Sequence, residues 1–332
     1  MGFLASYARF IREQYQLIII VTVIGALILG NWSTSAGEFL RAQTSILMFL
    51  MIYFMSFTIV PRQFKLIIRK PAGMVMGLGL NFVLMPLICF ILAKLLIHDS
   101  DLAAGLILIG VVPCAGMGSV WTGLLEGDIP LALSIGATTM LLAPFLIPGL
   151  MLLLAGSYVH VDVGHMFQKL VLMLLVPVLA GMLTRWFVDR FSSIKKEQLG
   201  IFPTLSATTA VLLMFAICNS AVPLIKKNLG MVPSLLGAVI LVFPIAFLVA
   251  SLLSRTLFPR EQRIAITFSS GMKNLPVAMG VALVSFPKLV GLPIALSFIF
   301  QMLTASTVYR LLRPRRRTLL KDGKLGDQGG AQ

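Results

Sequence analysis

Apolar residues run along this chain in long blocks, broken by short polar segments, with neither the alternation of a half-buried strand nor the stripe of a surface helix. Ten such blocks stand out, at roughly 16–30, 43–60, 72–97, 103–124, 129–155, 167–188, 204–222, 230–254, 264–286 and 289–312. A bilayer core about 30 Å thick takes about 20 residues of helix. Membrane β-strands are instead about ten residues of alternating character. The pattern therefore predicts an all-α polytopic membrane protein with ten transmembrane helices.

Composition agrees. Of 332 residues, 58% are hydrophobic and 12% charged, whereas soluble domains average about 45–50% apolar and 25% charged. The net charge of +15 could point to nucleic acid, but the basic residues sit in short clusters between apolar blocks, as basic cytoplasmic loops do. With the N-terminus inside, the inner segments carry Arg9 and Arg12; Arg62, Lys65, Arg69 and Lys70; Arg185, Arg190, Lys195 and Lys196; Arg255, Arg260 and Arg263; and the basic residues after Tyr309. The outer segments hold only Arg41, Lys94, Lys169, Lys226, Lys227 and Lys288. This asymmetry predicts both termini in the cytoplasm of a protein of the plasma (inner) membrane, with no cleavable signal peptide. Residues 1–15 form the cytoplasmic N-terminus. Residues 313–332 form a polar, Gly-rich, basic tail expected to be disordered, whose arginines mark the inner side and could touch anionic headgroups.

Two blocks are interrupted alike. The fourth reads VVPCAGMGSVW (111–121) and the ninth FSSGMKNLPVAMG (268–280), each with Gly, Pro and small polar residues at mid-membrane depth. IPLALS (129–134) returns as LPIALS (292–297), and Pro86 and Pro244 occupy matching places in the third and eighth blocks. The similar separations predict a duplicated five-helix unit, 16–155 and 167–312. Because five is odd, the second copy enters the membrane inverted. Paired broken helices in inverted repeats point to a secondary transporter with a midplane site, since a broken helix frees backbone groups that hydrocarbon cannot satisfy.

The segment PCAGMGSVWTGLLEGD (113–128) is similar to the arsenical-resistance (arsenite exporter) branch of the bile acid:sodium symporter superfamily, and LLAPFLIPGLMLLLAG (141–156) is closer to the bile-acid branch. The resemblance spans about residues 16–312. It implies a core domain and a panel domain, with helices four and nine crossing in the core. In the bile-acid branch sodium is held by a Ser-Asn pair on helix four, hydroxyls on helix five, a Glu and a Gln around the helix-nine break, and a Gln on helix three. The matching positions here are Gly118-Ser119, Ala132 and Gly136, Ser269, Lys273, and Asn81. The carboxylate and most oxygen ligands are missing, and sodium, as a hard cation, needs them. For the arsenite branch, Cys114 matches a helix-four cysteine whose soft thiolate suits trivalent arsenic, but the helix-nine glutamate is replaced by Pro276.

Lys273 is the one charged side chain deep in a block. An ammonium there costs at least about 2.5–3.5 kcal/mol, so it must face protein or water. It could replace a sodium ion as a built-in cation, carry a proton, or pair with an anionic substrate. Its neighbours Ser269, Ser270 and Asn274, together with Ser119, Cys114 and Asn81, complete the expected substrate and coupling site. Cys89 and Cys218 read as packing residues, and His98, His160 and His165 fall in outer loops. Catalytic pairs, metal-ligand spacing and cofactor motifs are not expected, nor is an obligate protein partner. The expected partners are the bilayer and a small anionic solute. The sequence thus predicts a secondary carrier of a small organic anion, coupled to protons or to no ion. Arsenite efflux and sodium-coupled anion symport remain open. A channel or receptor would need a polar pore stripe or a soluble sensor domain, and neither is present.

Overall fold

Prolines, glycines and short acidic caps set the ends of the helices. The computed structural model describes residues 2–57, 59, 70–191, 201–227 and 229–313. Arg62, Lys65, Arg69, Lys195, Lys196 and the tail from 314 to 332 lie outside the described residues. The chain begins with α1 (Gly2–Gly30), α2 (Ser35–Ala42) and α3 (Thr44–Ser56), followed by α4 (Pro71–Leu96). Next come α5 (Ser100–Val111), α6 (Met117–Leu124), α7 (Ile129–Ala155) and α8 (Val163–Phe191). The last five are α9 (Ile201–Lys227), α10 (Val232–Arg255), α11 (Arg260–Gly271), α12 (Leu275–Ser285) and α13 (Gly291–Leu312).

Asp99, Asp128 and Asp162 cap α5, α7 and α8, each accepting the N–H three residues on at 2.9–3.0 Å. Such caps hold donors that a helix start leaves unpaired. Among the described residues, six helices are long and apolar enough to cross a membrane, or seven if α1 and α2, bent by 117°, count as one span. α3, α5 and α12 are shorter apolar helices. The chain is thus an all-helical polytopic membrane protein.

α1 begins at Gly2, well before the predicted block at 16. No proline interrupts residues 2–30, and Tyr7 of this extension bonds Thr208 of α9 at 2.7 Å. α4 and α8 each contain one π-helical turn, Leu80–Leu84 and Val171–Leu175.

Packing divides the helices into two groups. α9 lies along α1 and α3, and α8 along α3. In the second group α4 packs on α5 and α10, α10 on α11 and α13, and α11 on α6 and α7. At one end of the molecule Lys70 pairs with Asp128. Asp128 N–H donates to Glu261 O at 2.9 Å, and Arg260 reaches Leu125 O at 3.3 Å and Leu312 O at 3.5 Å. His98, His160 and His165 are exposed, while Cys89 and Cys218 are buried and free.

Candidate functional site

Both breaks follow from local chemistry. Pro113 has no N–H to continue the ladder of α5, which ends at Val111, and helix resumes at Met117. α11 ends at Gly271, and α12 starts afresh at Leu275. Asn274 caps it, Oδ1 accepting from Val277 N–H at 3.3 Å. Pro276 sits in the first turn, where a missing N–H costs nothing.

The two non-helical segments lie antiparallel, with Cys114 opposite Lys273. Ala115 N–H donates to Met272 O at 2.9 Å, and Asn274 N–H donates to Pro113 O at 2.8 Å. Each break thereby satisfies backbone groups of the other, as a site away from water requires. Gln301 of α13 supplies a third strand-like edge. Lys273 N–H donates to its Oε1 at 2.8 Å, and its Nε2 donates to Lys273 O at 3.1 Å. The crossing is tight: a Cβ on Gly118 would lie 3.0 Å from Phe268 O, and one on Gly271 would lie 2.6 Å from the Phe247 ring.

Lys273 is 0% exposed. Its ammonium donates to Asn81 O at 3.2 Å and to Asn81 Oδ1 at 3.1 Å. Asn81 Nδ2 donates to Gly77 O at 2.9 Å and to Ser269 O at 3.1 Å, which turns Oδ1 toward the ammonium. Among the described residues no carboxylate pairs with Lys273. Ser269 and Ser270 carry buried hydroxyls that find no hydrogen-bond partner among the described residues. Cys114 N–H donates to Thr139 Oγ1 at 3.4 Å, and that hydroxyl lies 3.5 Å from the cysteine sulfur. Ser119 donates to Gly116 O at 2.7 Å.

A cavity of about 500 Å³ opens between the two groups of helices. Met51, Met55, Thr204 and Ser206 line one side; Ala115, Gly116, Ser119, Asn274, Pro276 and Gln301 line the other. Lys273 is the one charged residue among its lining. A second cavity, of about 40 Å³, lies against Cys114, Ser119, Ala132 and Gly136. The larger volume is in the range that holds small-molecule ligands, about 300–1,000 Å³.

Of the residues singled out from sequence, Asn81, Lys273 and Ser269 form one bonded group, and Cys114 and Asn274 belong to the crossing beside it. Lys273, Asn274 and Ser119 reach the larger cavity, and Cys114 and Ser119 the smaller. Asn81, Ser269 and Ser270 line neither. Sequence reasoning missed Gln301. Its signal was available: it is the one amide in the apolar run FIFQMLTAS (298–306).

Residues 45–227 match the Sodium Bile acid symporter family. A Bacillus subtilis protein named as an uncharacterized sodium-dependent transporter is 26% identical over 311 residues, covering 92% of each chain. A rice protein (Oryza sativa subsp. japonica), named as a probable chloroplastic sodium/metabolite cotransporter, is 30% identical over 232 residues, covering 70% of this chain and 55% of that one. An arsenical-resistance protein of Alkaliphilus metalliredigens is 26% identical over 205 residues, covering 57% of each chain. With more than half of its length matched, and with the motifs of its fourth and fifth apolar blocks, the chain belongs to the sodium bile acid symporter family.

Proposed function

We propose that this membrane transporter is a secondary carrier of a small organic anion, coupled to protons or to no ion. The observation that carries the reading is the cavity of about 500 Å³ that ends on the two crossed breaks; Lys273 borders it from a buried position, its ammonium turned to Asn81. The proposal includes ten spans in two inverted repeats, 16–155 and 167–312, with a core and a panel on either side of the cavity. It also places the protein in the plasma (inner) membrane with both termini in the cytoplasm.

The backbone supports an anionic solute. A helix N-terminus presents unpaired N–H groups and a partial positive charge. At α12 the Asn274 side chain takes one of these donors, and Pro276 in the first turn has none to offer. At α6 the N-cap is Gly116, which brings no capping side chain and lines the cavity, while Gly118 N–H and Ser119 N–H turn back to Ala115 O and Gly116 O at 3.0 and 3.2 Å. The favoured seat for a carboxylate in the cavity is the start of α6, where the helix's partial positive charge acts, with Ser119 and Asn274 beside it.

Two relatives are named as sodium-dependent or sodium/metabolite transporters, but of the positions that would supply sodium ligands here Gly118, Ala132 and Gly136 have no side-chain oxygen and Lys273 brings a cation of its own, which leaves Ser119, Ser269 and Asn81. Arsenite efflux is the second reading, favoured by Cys114 on the smaller cavity and by the arsenical-resistance relative.

Melting of the purified protein across a panel of organic acids, bile salts and arsenite tests the assignment, followed by uptake of each stabilising solute into proteoliposomes. Stabilisation by at least one organic anion and none by arsenite is expected. A response to arsenite alone would move the second reading to first place.

A further inference from the structure

The Asn81 carbonyl has lost its partner within its own helix. In an α-helix it would accept from Met85 N–H, four residues on. The π-helical turn at Leu80–Leu84 sends Met85 N–H to Leu80 O instead. The next residue, Pro86, has no N–H to offer. An orphan carbonyl at such depth needs a donor or a cation.

A second oxygen is aimed at the same point. Both hydrogens of Asn81 Nδ2 are used, on Gly77 O and Ser269 O, so the amide cannot flip and Oδ1 stays an acceptor. The two oxygens lie 3.2 and 3.1 Å from the Lys273 ammonium. Ser269, tied to this amide through its carbonyl, adds a buried hydroxyl with no partner among the described residues. Neutral carbonyl, amide and hydroxyl oxygens are the ligands that hard cations take. Among the described residues no carboxylate pairs with Lys273, so the two Asn81 oxygens compensate its charge.

We propose that the oxygens of Asn81 form a monovalent-cation site whose occupant is the chain's own Lys273 ammonium, and that a neutral side chain at 273 hands the site to free sodium. The wild-type protein then takes up no sodium at this point, because the cation is covalently part of α11–α12 and never leaves. The inference rests on the carrier reading only in treating the crossing as the transport site.

The test needs no transported solute. Full-length protein in detergent is melted in sodium chloride and in choline chloride at equal ionic strength. Wild type is expected to melt identically in both. Lys273→Gln, which swaps the ammonium for a neutral side chain with an oxygen of its own, should melt lower in choline and recover saturably with sodium. Lys273→Ala should respond in the same direction. Lys273→Gln/Asn81→Leu, which removes Oδ1, should lose the response.

A saturable sodium shift in wild type would overturn the proposal, and so would folded neutral variants indifferent to sodium. Failure of both neutral variants to fold in sodium would overturn it as well, since a free cation should replace the tethered one. Solute-induced stabilisation of wild type is read separately. Its absence alongside a sodium response in the variants would sink the carrier reading and leave this site standing.

Discussion

Gln301→Leu removes the side-chain amide that holds the second break while keeping the side chain's approximate size. Gln301 is 3% exposed, and its amide makes two bonds, from Lys273 N–H at 2.8 Å and to Lys273 O at 3.1 Å. The carbonyl keeps a further bond, from Leu275 N–H at 2.9 Å. The N–H therefore becomes the orphan. A buried donor left unpaired costs about 1–3 kcal/mol, and an ordinary buried hydrogen bond contributes about 0.5–1.5 kcal/mol. Relief of the amide's own desolvation offsets part of the sum, so a loss of about 2–4 kcal/mol is expected. Ser297→Ala is the control: one turn away on α13, its hydroxyl bonds only Pro293 O of its own helix at 2.8 Å, and its loss should stay within about 1 kcal/mol. Chemical unfolding in micelles gives the differences, and melting temperature gives their order. If Gln301→Leu unfolds no more easily than Ser297→Ala, the strand-like role of Gln301 is wrong.

The remaining expectations concern cargo and orientation. Expression in an arsenite-sensitive host should give little resistance, because Pro276 stands where the arsenite branch has a glutamate; strong resistance that disappears in Cys114→Ser would reverse the ranking of cargoes. A single cysteine introduced after Arg317 should react with an impermeant maleimide only once the cytoplasmic face is opened, and labelling in intact cells would overturn the orientation read from the lysine and arginine distribution.

Much of the architecture was legible because hydrocarbon forces apolar residues into long runs, and a proline or glycine inside such a run must leave a mark. Pro113 announced the break just past the end of α5, and Pro276 the first turn of α12, where helix restarts after its break. α1 runs beyond the first apolar block because hydropathy measures apolarity, and helix can continue through Arg9 and Arg12 past the apolar part. The pairing of the breaks was not readable, since contact between Ala115 and Met272 depends on how distant segments meet. The π-helical turn of α4 is likewise invisible: Pro86 shows that a donor is missing but not which carbonyl loses it. Lone amides were an available signal. Asn219, in the run FAICNSAV (215–222), accepts Gly37 N–H at 3.1 Å and donates to Ala26 O and Ser33 O at 3.2 Å each, holding the bend between α1 and α2. Attention to full charges alone found Lys273 and passed over both Asn219 and Gln301.

The crossed breaks have a consequence for how the protein is made. Ala115 N–H and Pro113 O find their partners in Met272 and Asn274, which leave the ribosome far later. At about 5–20 residues per second, the interval between the two segments is on the order of ten seconds or more. Through that interval α5 and α6 are already synthesised, yet their broken backbone has no protein to bond and cannot rest in lipid. The first half must therefore wait beside water, in the insertion machinery or at the headgroup layer, until α11 and α12 arrive. Assembly of the centre waits for the second half of the chain: ribosomes that stop before Met272 release a protein with an unfinished centre, suited to capture by membrane quality control.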